Sequence, residues 1–145
     1  MRRSLPPLFA ALLSTALGAC GFMTPPQQYA GDRKPGSEIA VIQSYQGSPL
    51  GDEYHATLSG YAQRFENGET RVKHLGLPGF TDYPRELHLD PGSYALELYC
   101  FKSLAKPTYR PTFEIAVKAG YVYTVKCEAG DGHASVFVSQ VTRAL

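Results

Sequence analysis

From Glu38 to the C-terminus the chain is a succession of short apolar alternations separated by turn residues, without the 3.6-residue periodicity of a helix. A strand that buries every second side chain needs a second sheet to cover it, so this pattern specifies an all-β domain, a sandwich or small barrel. Ile39-Ala40-Val41-Ile42 is apolar at every position, as in a strand covered on both faces. Tyr54 to Phe65 runs into Glu66-Asn67-Gly68-Glu69, where Asn-Gly marks a hairpin turn with positive φ at both central residues, and Thr70 to Leu75 is the return strand. Glu86 to Asp90 is followed by the turn Pro91-Gly92 and the strand Ser93 to Lys102. Thr112 to Lys118 alternates Phe113, Ile115 and Val117, Ala119-Gly120 turns the chain, and Tyr121 to Glu128 follows. Gly130-Asp131-Gly132 turns into His133 to Thr142. The expectation is an antiparallel β-sandwich of about seven to eight strands spanning 38–145.

The chain begins differently. Arg2 and Arg3 precede an apolar run, Leu5 to Ala16, too short for a spanning helix of about 20 residues. Leu17-Gly18-Ala19-Cys20 resembles the lipobox of bacterial lipoproteins, whose cysteine sulfur takes diacylglycerol as a thioether. The resemblance implies that 1–19 is a cleaved signal peptide and that Cys20 carries the lipid attachment. It further implies a second acylation at the freed amine, together enough for stable membrane anchoring. Gly21 stands where an aspartate commonly marks inner-membrane retention, so the implied destination is the outer membrane, facing the periplasm. The competing reading is an ordinary secretory peptide cut near Ala16, leaving a stray thiol. Residues 20–37, rich in Pro, Gln and Gly, read as the lipidated cysteine followed by a flexible tether.

Cleavage before Cys20 leaves 145 − 19 = 126 residues and, without Arg2 and Arg3, 14 − 2 = 12 basic against 13 acidic side chains. A net charge of −1 with interspersed signs argues against nucleic acid as a partner and offers no polybasic patch for anionic lipid. With Cys20 lipidated, Cys100 and Cys127 remain in an oxidising compartment. Each lies in register with the large apolar residues of its strand: Tyr94, Leu96, Leu98, Cys100 and Tyr121, Tyr123, Val125, Cys127. A disulfide between them would close a loop of about 28 residues and contribute roughly 3.5 kcal/mol. Two buried free thiols are the alternative.

Between Leu87 and Cys127, Pro91-Gly92 followed by Tyr94, Leu96 and Leu98, then Ala119-Gly120 followed by Tyr121 and Tyr123, is similar to a class of small envelope lipoproteins. That resemblance implies a transthyretin-like or immunoglobulin-like β-sandwich, and no active site.

No catalytic constellation stands out. His55, His74, His88 and His133 are dispersed without metal-ligand spacing, and Asp131-Gly132-His133 reads as a polar hairpin tip. The chain also lacks a nucleophile elbow and a phosphate-cradling glycine loop. The expectation is a non-catalytic protein without metal or cofactor. If successive strands alternate in direction, the tight turns at Asn67-Gly68, Pro91-Gly92 and Ala119-Gly120 share one end of the sandwich. The loops 46–53, 76–85 and 103–111 share the other with the 129–132 turn. The tether would then leave from the tight-turn end, and the long loops would face away from the membrane. Two of those loops combine aromatic, proline and arginine residues, making Phe80, Tyr83, Arg85, Tyr109 and Arg110 candidate contacts for a periplasmic protein or envelope glycan. The same residues also suit loops that are merely rigid. The runner-up is an inhibitor or small-ligand-binding lipoprotein; a concave apolar pocket between the sheets would favour a ligand, a flat aromatic surface a partner.

Overall fold

The computed structural model describes residues 25–48, 51–76, 83–102, 108–130 and 132–144. The lipobox Leu17 to Cys20 and Phe80 lie outside them. Eight strands follow a short 3-10 turn at Gly36–Glu38: β1 Ala40–Ser44, β2 His55–Arg64, β3 Thr70–His74, β4 Glu86–Leu89, β5 Gly92–Phe101, β6 Thr112–Val117, β7 Tyr121–Gly130 and β8 His133–Arg143. They form two four-stranded sheets, β4-β1-β7-β8 and β3-β2-β5-β6, the β-sandwich expected from the alternation.

All strand pairs are antiparallel except β1 with β7. The exception follows from the path of the chain. After β1 it passes through β2 and β3 of the other sheet, back to β4, and across again to β5 and β6. It returns to the first sheet through the β6–β7 turn at the end where β1 begins. The Gly120 N–H donates to the Ile39 carbonyl at 2.8 Å there. Strand directions therefore alternate throughout. The 65–69, 90–91 and 118–120 turns share one end, and the longer β1–β2, β3–β4 and β5–β6 connections share the other with the β7–β8 turn.

The core is the apolar register of both sheets. Leu58, Leu96 and Leu98 face Ile42, Leu87, Leu89 and Val125, each essentially without solvent exposure. Burying a side chain of this size contributes about 1.5–3 kcal/mol. Between the sheets at the long-loop end, Cys100 and Cys127 form a disulfide, their Cα atoms 5.7 Å apart.

The tyrosines of the Pro-Gly-x-Tyr and Ala-Gly-Tyr-x-Tyr patterns close their own turns. The Tyr94 hydroxyl donates to the Asp90 carbonyl at 2.7 Å, and the Tyr123 hydroxyl accepts the Lys118 N–H at 2.9 Å. Both rings are buried, so each turn is tied to the core by a phenol whose polar end is satisfied.

Two expectations are corrected. At Glu66-Asn67-Gly68 only Gly68 takes a positive φ, 85°, while Asn67 does not. Phe65 and Glu69 close a three-residue loop, and the Asn67 side chain accepts the Glu69 N–H at 3.0 Å. Asn-Gly thus marks the hairpin but not the two-residue form, because the asparagine oxygen caps a backbone donor instead. The described part of the 20–37 tether is not free chain either. The chain does join β1 at the tight-turn end, but residues 26–28 upstream pair with the outer edge of β4 through His88, so the tether runs back along that edge instead of leaving from the end.

Candidate functional site

The outer face of the β3-β2-β5-β6 sheet carries a run of aromatic side chains at its long-loop end. In β5, Tyr94, Leu96, Leu98 and Cys100 point inward, so Tyr99 and Phe101 stand on the opposite face. The β2 register sets Thr57 beside Tyr99 and His55 beside Phe101. His55 and Phe101 stack, ring centroids 5.1 Å apart and planes 15° from parallel, and Phe101 remains exposed.

Tyr99 is the hub. Just before β6, Tyr109 and Cys100 exchange backbone hydrogen bonds of 2.9 Å, which fixes Arg110 on the outer face. The Arg110 guanidinium carbon lies 4.7 Å from the Tyr99 ring centroid. From the β3–β4 connection, Tyr83 brings its ring to 5.4 Å from that of Tyr99, tilted by 55°. Partial burial, and then a hydrogen bond with Tyr99, push the Tyr83 phenol above its ordinary value. One arginine and two tyrosines from three different segments thus meet in a surface held by cation–π and aromatic contacts.

The next rung along the same face pairs Gly60 with Glu97 and His74. His74 Nδ1 is 3.7 Å from a Glu97 carboxylate oxygen. A Cβ at Gly60 would sit 2.7 Å from Glu97 Oε2 and 3.1 Å from the Lys73 carbonyl, so only glycine lets the carboxylate lie down here. Beyond the aromatic run the face therefore ends in a low, polar shelf.

Of the candidate contacts read from the sequence, Tyr83 and Arg110 are brought together. Tyr109 and Arg85 are not. Tyr109 turns inward, half-buried beside Tyr54 at a centroid distance of 6.2 Å, because its pairing with Cys100 commits it to the core side. Arg85 is exposed at the entry to β4 in the other sheet, where its carbonyl accepts the Ser44 N–H and hydroxyl. Tyr99, Phe101 and His55 escaped the loop-based reading although the alternation already placed Tyr99 and Phe101 opposite Leu98 and Cys100.

A hollow of about 340 Å³ opens at the long-loop end, lined by Tyr45, Asp52, Glu53, Tyr54, Lys102 and Lys126 among others. Two ion pairs cross it, and Glu128 lines it as well. Lys126 lies over the Tyr45 ring at 3.7 Å and 3.5 Å from Glu53, to which the Tyr45 hydroxyl donates. Lys102 pairs with Asp52 and approaches the Tyr54 ring at 5.7 Å. These contacts pin the β1–β2 connection across the disulfide. Among the described residues no group of three His, Cys, Asp or Glu side chains is placed to hold a metal ion.

No family model matches the chain, and neither a curated protein nor a solved structure shows significant similarity to it.

Proposed function

We propose that this chain is a lipid-anchored protein of the bacterial envelope, attached through Cys20 to the outer membrane and facing the periplasm. Its β-sandwich binds a partner and catalyses no reaction. The observation that carries the binding reading is the Tyr83–Tyr99–Arg110 cluster with the neighbouring His55–Phe101 stack. Aromatic and arginine side chains dominate the energetics of protein interfaces, and here Tyr99, His55 and Phe101 are positioned by the paired strands β2 and β5, which lowers the ordering cost of binding. The lipobox pattern supports the anchor, and the near-neutral mature charge agrees with a partner other than nucleic acid.

A periplasmic protein or envelope glycan fits this surface better than a small ligand. The aromatic face is a sheet surface, not a cleft, and the hollow at the long-loop end has both of its lysines engaged by Asp52 and Glu53. Two measurements test the reading. Cys20→Ser is expected to abolish the lipid mass of the mature N-terminus and release the protein from membranes; retention of membrane attachment contradicts the anchor. Tyr99→Ala and Arg110→Ala are expected to reduce the envelope material captured by the immobilised domain. Unchanged capture by both variants contradicts the binding face.

A further inference from the structure

Residues 26–34, upstream of β1, form a strap. The Gln28 N–H donates to the His88 carbonyl at 3.0 Å, and the His88 N–H donates to the Pro26 carbonyl at 2.8 Å. This parallel pairing adds residues 26–28 to the outer edge of β4. The Gln27 side chain donates to the Gly31 carbonyl at 2.9 Å, and the Tyr29 hydroxyl accepts the Lys34 N–H at 3.0 Å. Lys34 then meets Asp90 at the exit of β4, Nζ to carboxylate 2.5 Å, with its ammonium 4.9 Å from the Tyr29 ring centroid.

Direction matters here. β4 runs from the long-loop end toward the tight-turn end, and a strap parallel to it enters from the long-loop side. Pro25 and Pro26 therefore lie on the flank of the sandwich, at the β4 edge.

We propose that this strap makes the β4 edge the side of the domain that faces the lipid bilayer, an inference that rests on lipidation of Cys20. Cys20 lies five residues before Pro25. Five residues reach at most about 18 Å, whereas the twenty from Cys20 to Ala40 would reach about 70 Å if none were pinned. The domain is thus held close to the bilayer by one edge instead of swinging on a long spacer. The opposite edge, β8, stands four strand spacings from the strap, about 19 Å farther out. The strap carries Asp32, Arg33, Lys34 and Glu38. Their signs cancel, so geometry and not headgroup charge sets the orientation. The aromatic face of the other sheet then lies along the side of the anchored domain, accessible from the periplasm.

The test uses the lipidated full-length mature protein in vesicles of phosphatidylethanolamine and phosphatidylglycerol bearing a headgroup energy acceptor. A genetically encoded fluorescent residue replaces Asp32, Asn67, His133 or Gln140 in turn. Transfer is expected to be highest from position 32, lowest from 140 and intermediate from 67 and 133. Gln28→Pro removes the N–H that holds the strap and is expected to shrink the difference between 32 and 140. Equal transfer from 32 and 140 in the parent protein, higher transfer from 67 than from 32, or an undiminished difference in Gln28→Pro overturns the proposal. A protein that fails to float with the vesicles overturns the lipid anchor itself and this orientation with it. Flotation with equal transfer leaves the anchor standing and overturns the orientation alone.

Discussion

Arg110 lies across the ring of Tyr99, its guanidinium carbon 4.7 Å from the centroid, although Tyr99 belongs to β5 and Arg110 to the connection that leads into β6. A solvated pair of this kind is worth about 0.5–1 kcal/mol. A double-mutant cycle with Arg110→Ala and Tyr99→Ala should return a coupling of that size in urea unfolding, with single-variant losses of similar scale. Variants so mild separate binding from folding, which makes the two side chains suitable probes of function.

The Cys100–Cys127 disulfide ties the long-loop ends of the two sheets together across a sequence separation of 27. Replacing both cysteines by alanine should lower unfolding free energy by about 3.5 kcal/mol, the loop-closure expectation for this separation. Denaturant midpoints of the double variant and of the parent in reductant should then coincide. A parent whose midpoint ignores reductant would contradict the bridge's contribution.

Burial alone would raise the Glu86 carboxyl, but hydrogen bonds from Gln43 at 2.9 Å and His88 at 2.5 Å outweigh it and leave the group below its ordinary 4.5. A carboxyl depressed in the folded state adds stability that is fully present above the unfolded value and is lost as pH falls through the folded one. Acidification below 4.5 should therefore destabilise the parent more than Glu86→Gln, measured as the change in thermal midpoint. Identical acid sensitivity in the two proteins would show that Glu86 contributes nothing.

Gly60→Ala should cost about 1–3 kcal/mol, since its Cβ would press on the Lys73 carbonyl as well as on Glu97. Adding Glu97→Ala should recover only part of the loss, because the carbonyl belongs to the β3 ladder and has little room to shift. Full recovery in the double variant would mean that the carboxylate alone sets the limit. Unfolding curves of the two variants decide between these outcomes.

Much of the fold was legible because a buried strand writes its inward side chains at every second position. Tyr94, Leu96, Leu98 and Cys100 announce their shared face, and Val125 with Cys127 announces the opposing one. The turns were equally plain at Pro91-Gly92 and Ala119-Gly120. Three features were not. Asn67 could satisfy a neighbouring N–H or adopt positive φ, and the two-residue motif does not distinguish these. The parallel β1–β7 pair depends on which sheet each strand joins, a long-range choice that local periodicity does not encode. The strap was hidden because backbone hydrogen bonds to His88 hold it, leaving no apolar signature in Pro25 to Lys34.

The candidate site was half legible for a related reason. Tyr83 and Arg110 stood out by composition, but loop composition says nothing of which way Tyr109 points. That is decided by its pairing with Cys100. Tyr99 and Phe101 were read as members of a strand, and their outward parity, not their loop neighbours, makes them part of the surface.

The most direct test of the binding face is photo-crosslinking in the living cell. A crosslinking residue in place of exposed Thr112, beside Glu97 at the long-loop end of the sheet, is compared with one at Asn67, at the opposite end of the same sheet, and adducts are identified by mass spectrometry. A discrete adduct from 112 that disappears with Tyr99→Ala, and none from 67, is the predicted result. Equal labelling from both positions, or none from 112 in an intact and membrane-attached protein, would contradict the assignment of this face as the binding surface.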